Sequence, residues 1–156
     1  LAEDQRGYLL MGDSGAGKST LAGLCKEGIV LSDDSPIFRK QNGRYALFAS
    51  PYNQFSIFHG LDEKAITMRA VTIRLYFLTK DSRVYVEQVS KKKTLHMIIN
   101  RHIHFFSYLS IQAKTVLFDL FFHACHNLPT YDLHFCKGQD VLPFIGGQDD
   151  KLKEKR

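Results

Sequence analysis

Apolar residues along the chain change their spacing several times, and each change predicts an element. Residues 7–11 form a short apolar run suited to a buried strand. Beyond the glycine-rich stretch that follows, Leu21, Ala22, Leu24 and Cys25 take helical spacing, with Gly28 as a helix C′ residue. Residues 29–32 read as a second buried strand ending at Asp33 and Asp34. Two shorter strands are predicted over 37–40 and 44–49, joined through Gln41, Asn42 and Gly43, because Asn-Gly is the strongest short hairpin signal.

Residues 50–69 have no clear period and read as a long substrate-facing loop that includes His59. Residues 73–79 and 84–89 look like an antiparallel pair turned at 80–83. From Lys91 the period is helical, with Leu95, Ile98, Ile99, His102 and Phe106 on one face. A second helix places Ala113, Val116, Leu117, Leu120, Phe121 and Ala124 on one face and stops at Pro129. Residues 131–136 alternate as a strand, and 141–145 predict a short last helix before a charged tail. With no repeat or linker, 1–148 reads as one α/β domain and 149–156 as its tail. A first residue of Leu1, so close to a strand, reads as an N-terminally trimmed core.

Composition narrows the class. At 44% hydrophobic and 24% charged residues, the 156-residue chain has the make-up of a packed globular domain, which excludes disordered, collagen-like and disulfide-scaffold classes. The formal charge of +5 favours anionic ligands without choosing among nucleotides, phosphoproteins and nucleic acid. Cys25, Cys125 and Cys136 have no regular spacing and no secretory leader precedes them, so a cytoplasmic protein is expected, and no apolar run is long enough for a membrane span.

The segment Gly12, Asp13, Ser14, Gly15, Ala16, Gly17, Lys18, Ser19, Thr20 satisfies the Walker A pattern. Its glycines let backbone N–H groups turn toward phosphate oxygens, and the anion then sits at a helix N-terminus. Lys18 is expected to reach the β- and γ-phosphates of ATP, and the Ser19 hydroxyl to complete the coordination of Mg²⁺. Thr20 is expected to start the helix or touch the α-phosphate. At the end of the next predicted strand, Asp33 and Asp34 divide two tasks: one holds Mg²⁺, the other accepts a proton from an attacking hydroxyl. Asp33 is taken as the metal-side carboxylate.

The run from Gly12 to Thr20, a short helix, Gly28, Leu31, Ser32 and the Asp33-Asp34 pair together resemble the catalytic domain of the HPr kinase/phosphorylase family and its short kinase-like relatives. Leu75 to Leu78, Leu95 to Arg101 and Leu128 to Leu133 are similar to those relatives too. The resemblance implies a phosphoenolpyruvate-carboxykinase-like fold: a mixed β-sheet carrying a Walker A loop, followed by two C-terminal helices. It also implies an ATP- and Mg²⁺-dependent kinase that phosphorylates a Ser or Thr hydroxyl of a protein or peptide, with Lys18, Asp33 and Asp34 as catalytic residues and a homo-oligomer as one assembly. Other family signatures are missing from this chain, which points to a kinase-like relative with its own acceptor. A small-molecule kinase and a non-catalytic nucleotide-binding module are the alternatives, and nucleic-acid binding has no motif to support it.

Other candidates carry less. His59 in the loop, and Arg69 and Arg74 as transition-state cations, are more simply explained as surface positions, and Arg74 in particular is expected to face solvent because it alternates with apolar neighbours. His123, Cys125, His126, His134 and Cys136 lack zinc-ligand spacing. Lys91, Lys92 and Lys93 read as a solvated helix face.

Overall fold

The computed structural model describes residues 1–3, 5–24, 29–32, 36–50, 69–99 and 106–146. Among them the chain forms β1 (Ala2–Glu3), β2 (Arg6–Met11), α1 (Lys18–Leu24), β3 (Ile37–Gln41), β4 (Arg44–Phe48), β5 (Arg69–Ala70), β6 (Thr72–Lys80) and β7 (Tyr85–Gln88). Helix α2 (Lys91–Met97), a 3₁₀ turn (Phe106–Tyr108), α3 (Ile111–Asn127), β8 (Thr130–Phe135) and α4 (Leu142–Gly146) follow. No helix among the described residues is long and apolar enough to cross a membrane.

The main sheet is mixed, in the order β1-β2-β6-β8-β7. Its centre is parallel: Met11 of β2 lies opposite Phe77 of β6, and Lys80 of β6 opposite Phe135 of β8. Both edges are antiparallel. A parallel centre must be covered on both faces, and the continuous burial from Ile73 to Phe77 in β6 fits that demand. On one face Tyr8, Tyr76, Tyr131, Leu133 and Phe135 pack with Leu21 of α1 and with Val141, Leu142 and Ile145 around α4. On the other, Ile73, Leu75 and Phe77 meet Tyr45, Leu47 and Ala70 of a second sheet, β3-β4-β5, together with Ala124 and Cys125 of α3 and Ile98 at the end of α2.

Local chemistry explains several elements. Asn42 and Gly43 both have positive φ, 49° and 76°, the pairing that a two-residue hairpin turn needs to match strand twist, and β3 and β4 pair in register around them. Ser90 and Ser110 cap α2 and α3 by accepting from the N–H groups of Lys93 and Ala113. Lys91, Lys92 and Lys93 lie exposed on the first turn of α2, and Lys93 Nζ pairs with Asp132 at 2.8 Å.

Four expectations are corrected. Residues 29–32 do not form a strand: among the described residues Ile29 makes one isolated antiparallel bridge to Ala2, too few pairings for a ladder. The segments 73–79 and 84–89 do not pair with each other. Strand β8 lies between them, with most of its residues buried, whereas β7 is largely exposed; the more apolar strand takes the interior place and β7 the edge. On α3, Ala124 is buried and Leu120 and Phe121 pack on the core, but Val116 is 67% exposed, since the helix meets the sheets through its C-terminal half. Arg74 does not face solvent. It is buried on the α4 side of the sheet, and its Nη1 donates to the Ile145 carbonyl at 2.8 Å.

Candidate functional site

The glycine loop leaves the C-terminal end of β2 and enters α1 at Lys18. Strand β2 stops opposite Phe77, whereas β6 runs on through 78, 79 and 80 with β8 beside it, so the loop lies against a raised rim. In open α/β sheets ligands bind beyond the carboxyl ends of parallel strands, where loop backbone gathers.

Two contacts seat the loop on that rim. A Cβ on Gly12 would lie 3.4 Å from the Leu78 Cβ, and one on Gly17 would lie 2.9 Å from Cζ of Phe135. Gly17 also has φ of +103°, so both space and backbone conformation call for glycine there. Within the loop the Ala16 N–H donates to the Asp13 carbonyl at 3.0 Å, and the Gly17 carbonyl accepts the first helical bond, from Leu21, at 2.9 Å.

Lys18 folds back over its own loop. Its Nζ donates to the carbonyls of Gly12 at 2.8 Å and Asp13 at 3.2 Å. The ammonium is thus held by two carbonyl oxygens of its own loop, which occupy donors that an anion would take instead. Asp13, Ser14, Gly15, Ser19 and Thr20 are exposed, and Gly12, Ala16, Gly17 and Lys18 partly so. The Ser19 hydroxyl on the first turn of α1 is a hard oxygen donor, fitting a Mg²⁺ that keeps most of its ligands as phosphate oxygens and water.

Asp33 and Asp34 lie outside the described residues, as do Cys25, His59 and the 51–68 part of the predicted loop. The approach to the acidic pair is described as far as Ser32.

At the same rim stands a group not singled out by the sequence reading. Asp81 directly follows β6, and its N–H donates to the Phe135 carbonyl at 2.9 Å. Its Oδ1 accepts from the Ser82 N–H at 2.6 Å, and its Oδ2 takes Tyr85 Oη at 3.2 Å and faces His134 Nδ1 at 3.0 Å. The Ser82 N–H first, and then His134, holds the Asp81 carboxyl down at about 2. The signal in the sequence is an acid placed directly after a long apolar strand, within the segment 80–83 that reads as a turn. His134 is bound to Asp81, whereas His123, Cys125 and His126 lie on α3, and no three metal-ligating side chains converge among the described residues.

Comparison with known protein families, curated proteins and solved structures finds no match for this chain.

Proposed function

We propose that the protein is an ATP- and Mg²⁺-dependent phosphotransferase of HPr-kinase-like type, moving the γ-phosphoryl group to a Ser or Thr hydroxyl of a protein or peptide. The observation that carries this is Lys18, whose ammonium is bound to the Gly12 and Asp13 carbonyls above a glycine loop at the end of a parallel strand. A strand, a glycine turn and a helix opening on the lysine are the parts that a phosphate-binding loop requires. On nucleotide binding Lys18 exchanges two neutral carbonyls for the β- and γ-phosphate oxygens, a stronger charge-assisted contact. Ser19 ligates Mg²⁺, which would neutralise charge on the leaving diphosphate. Asp33 and Asp34 enter through the family resemblance alone, for Mg²⁺ and for the acceptor proton. The mixed sheet fits the architecture that the resemblance implies.

The test is calorimetric titration with Mg·ATP, followed by transfer of labelled γ-phosphate into a fractionated cell extract. Wild-type protein is expected to bind and to label a protein fraction, and Lys18→Ala to do neither. Absence of binding at about 1 mM nucleotide, the upper range of ordinary KM values, or equal binding by Lys18→Ala, would overturn the proposal. Label appearing only in metabolites would favour a small-molecule kinase.

A further inference from the structure

Helix α3 carries two apolar faces. Leu120, Phe121, Ala124 and Cys125 pack on the core. A second line, Ile111, Thr115, Phe118 and Phe122, faces outward: all four are exposed, Ile111 at 80% and Phe118 at 41%. Ile111 and Phe118 are seven residues apart, as are Thr115 and Phe122, which is the repeat of a helix seam that packs against another helix. The line spans about 17 Å at 1.5 Å per residue, and it ends where Cys125, next in the spacing, turns into the core. Val116 is also exposed but lies off it.

The line is prepared for cover by apolar surface. The Phe118 and Phe122 rings stack with centroids 6.0 Å apart and planes 20° from parallel, so they present one continuous patch. Its one polar member, Thr115, donates its hydroxyl to the Ile111 carbonyl at 3.0 Å, and burial would leave that donor satisfied.

The flanking charges say what fits there. Lys114 immediately precedes Thr115 on one side of the line, and Asp119 immediately follows Phe118 on the other, five residues on. In a parallel pair of helices, the position before one seam residue faces the position after the next seam residue of the partner, at a distance of five residues. A second copy of α3 laid parallel therefore brings Lys114 to the partner's Asp119, and two-fold symmetry makes the pair twice. An antiparallel copy sets like flank against like flank and makes neither. The Lys114 ammonium donates to the Ser107 carbonyl at 3.2 Å on the exposed surface, a neutral contact that a carboxylate outcompetes.

We propose that α3 is a dimerisation helix, pairing in parallel with α3 of a second copy of this chain. Each seam residue meets its own counterpart across the two-fold axis, and Lys114 bonds the partner's Asp119. The interface stands apart from the nucleotide reading. The glycine loop sits on Phe135, which packs with α1 and α4, whereas α3 covers the opposite face of the main sheet, so pairing leaves the loop open.

Sedimentation equilibrium at low salt tests this, with circular dichroism and thermal unfolding to verify the fold of each variant. The wild type is expected to pass from monomer to dimer between about 1 and 100 μM. Phe118→Glu should weaken the dimer by about 30-fold or more, as loss of a central aromatic anchor does. Lys114→Glu and Asp119→Lys should each weaken it by about 2–30-fold, the effect of two exposed ion pairs, and more salt should narrow the difference. The two reversals combined should restore the dimer, which only the parallel arrangement provides, and these charge variants keep the test open should Phe118→Glu fail to fold. A wild type that is monomeric at about 100 μM overturns the proposal. So does a dimer indifferent to a folded Phe118→Glu, or one that the double reversal fails to restore. A monomer that Phe118→Glu merely destabilises would mean that the stripe packs within its own chain, and would overturn it equally.

Discussion

Gly17 and Phe135 meet so closely that a Cβ on the glycine would lie 2.9 Å from Cζ and 3.3 Å from Cε2 of the ring. The last residue of β8 thus sets the floor of the glycine loop. Gly17→Ala adds this clash to a backbone at φ +103°, whereas Gly15→Ala meets open space at φ +76°. The left-handed conformation alone costs about 1–2 kcal/mol for a residue with a Cβ. Urea unfolding should show Gly17→Ala to be the more damaging of the two. Phe135→Leu should relieve part of that excess, with a coupling energy above about 0.5 kcal/mol in the double mutant. Equal costs at the two glycines would count against the contact.

Arg74 and Tyr76 both donate to the Ile145 carbonyl, at 2.8 and 3.1 Å, and fasten α4 onto the sheet. Tyr76→Phe should cost about 1 kcal/mol, and Arg74→Met about 1.5–3 kcal/mol because its bond is charge-assisted. Chemical denaturation gives the values, and limited proteolysis near α4 should quicken in the arginine variant. A fully stable Arg74→Met would show that the carbonyl has no need of the cation.

Burial pushes the Cys125 thiol up to about 11, while Cys136 is only partly buried. The thiolate is the reactive form, so near neutral pH Cys125 should react with iodoacetamide on the order of a hundredfold more slowly than an ordinary thiol. Peptide mapping over time should find Cys136 alkylated well before Cys125. Comparable rates would mean that Cys125 is not shielded as described.

Asp81 should stay ionised to about pH 2, since the Ser82 N–H and His134 both favour its charged form. A folded-state value below the unfolded one means that Asp81 stabilises the fold above about pH 4, and that this contribution fades as pH falls from there to about 2. Carboxyl NMR should place its titration midpoint near 2, and Asp81→Asn should flatten the acid limb of the stability curve. A midpoint near that of a free aspartate would remove the Ser82 and His134 bonds from the account.

Elements fixed by local chemistry were legible in the sequence. The 7–11 run lies within β2, the Asn42-Gly43 turn joins β3 and β4, and the last predicted strand and helix match β8 and α4 to within a residue or so. Pairing was not legible, because an apolar run such as Ile73 to Phe77 shows that a strand is buried and not which strand lies beside it. The environment of Arg74 is hidden in the sequence for the same reason. Alternation implies one wet face, but β6 has cover on both, so its arginine points at a carbonyl of α4 rather than at water. The glycine loop announced itself by spacing, whereas Asp81 and His134, distant in sequence, meet only through the parallel register of β6 and β8.

That register also governs the order of assembly. Strand β8 leaves the ribosome after the other described strands, yet among the described residues β7 has no other partner in the sheet and β6 has an open side until β8 arrives. A nascent chain short of Thr130 therefore presents two unsatisfied strand edges, and the main sheet, with the rim that holds the loop, closes only once β8 is inserted.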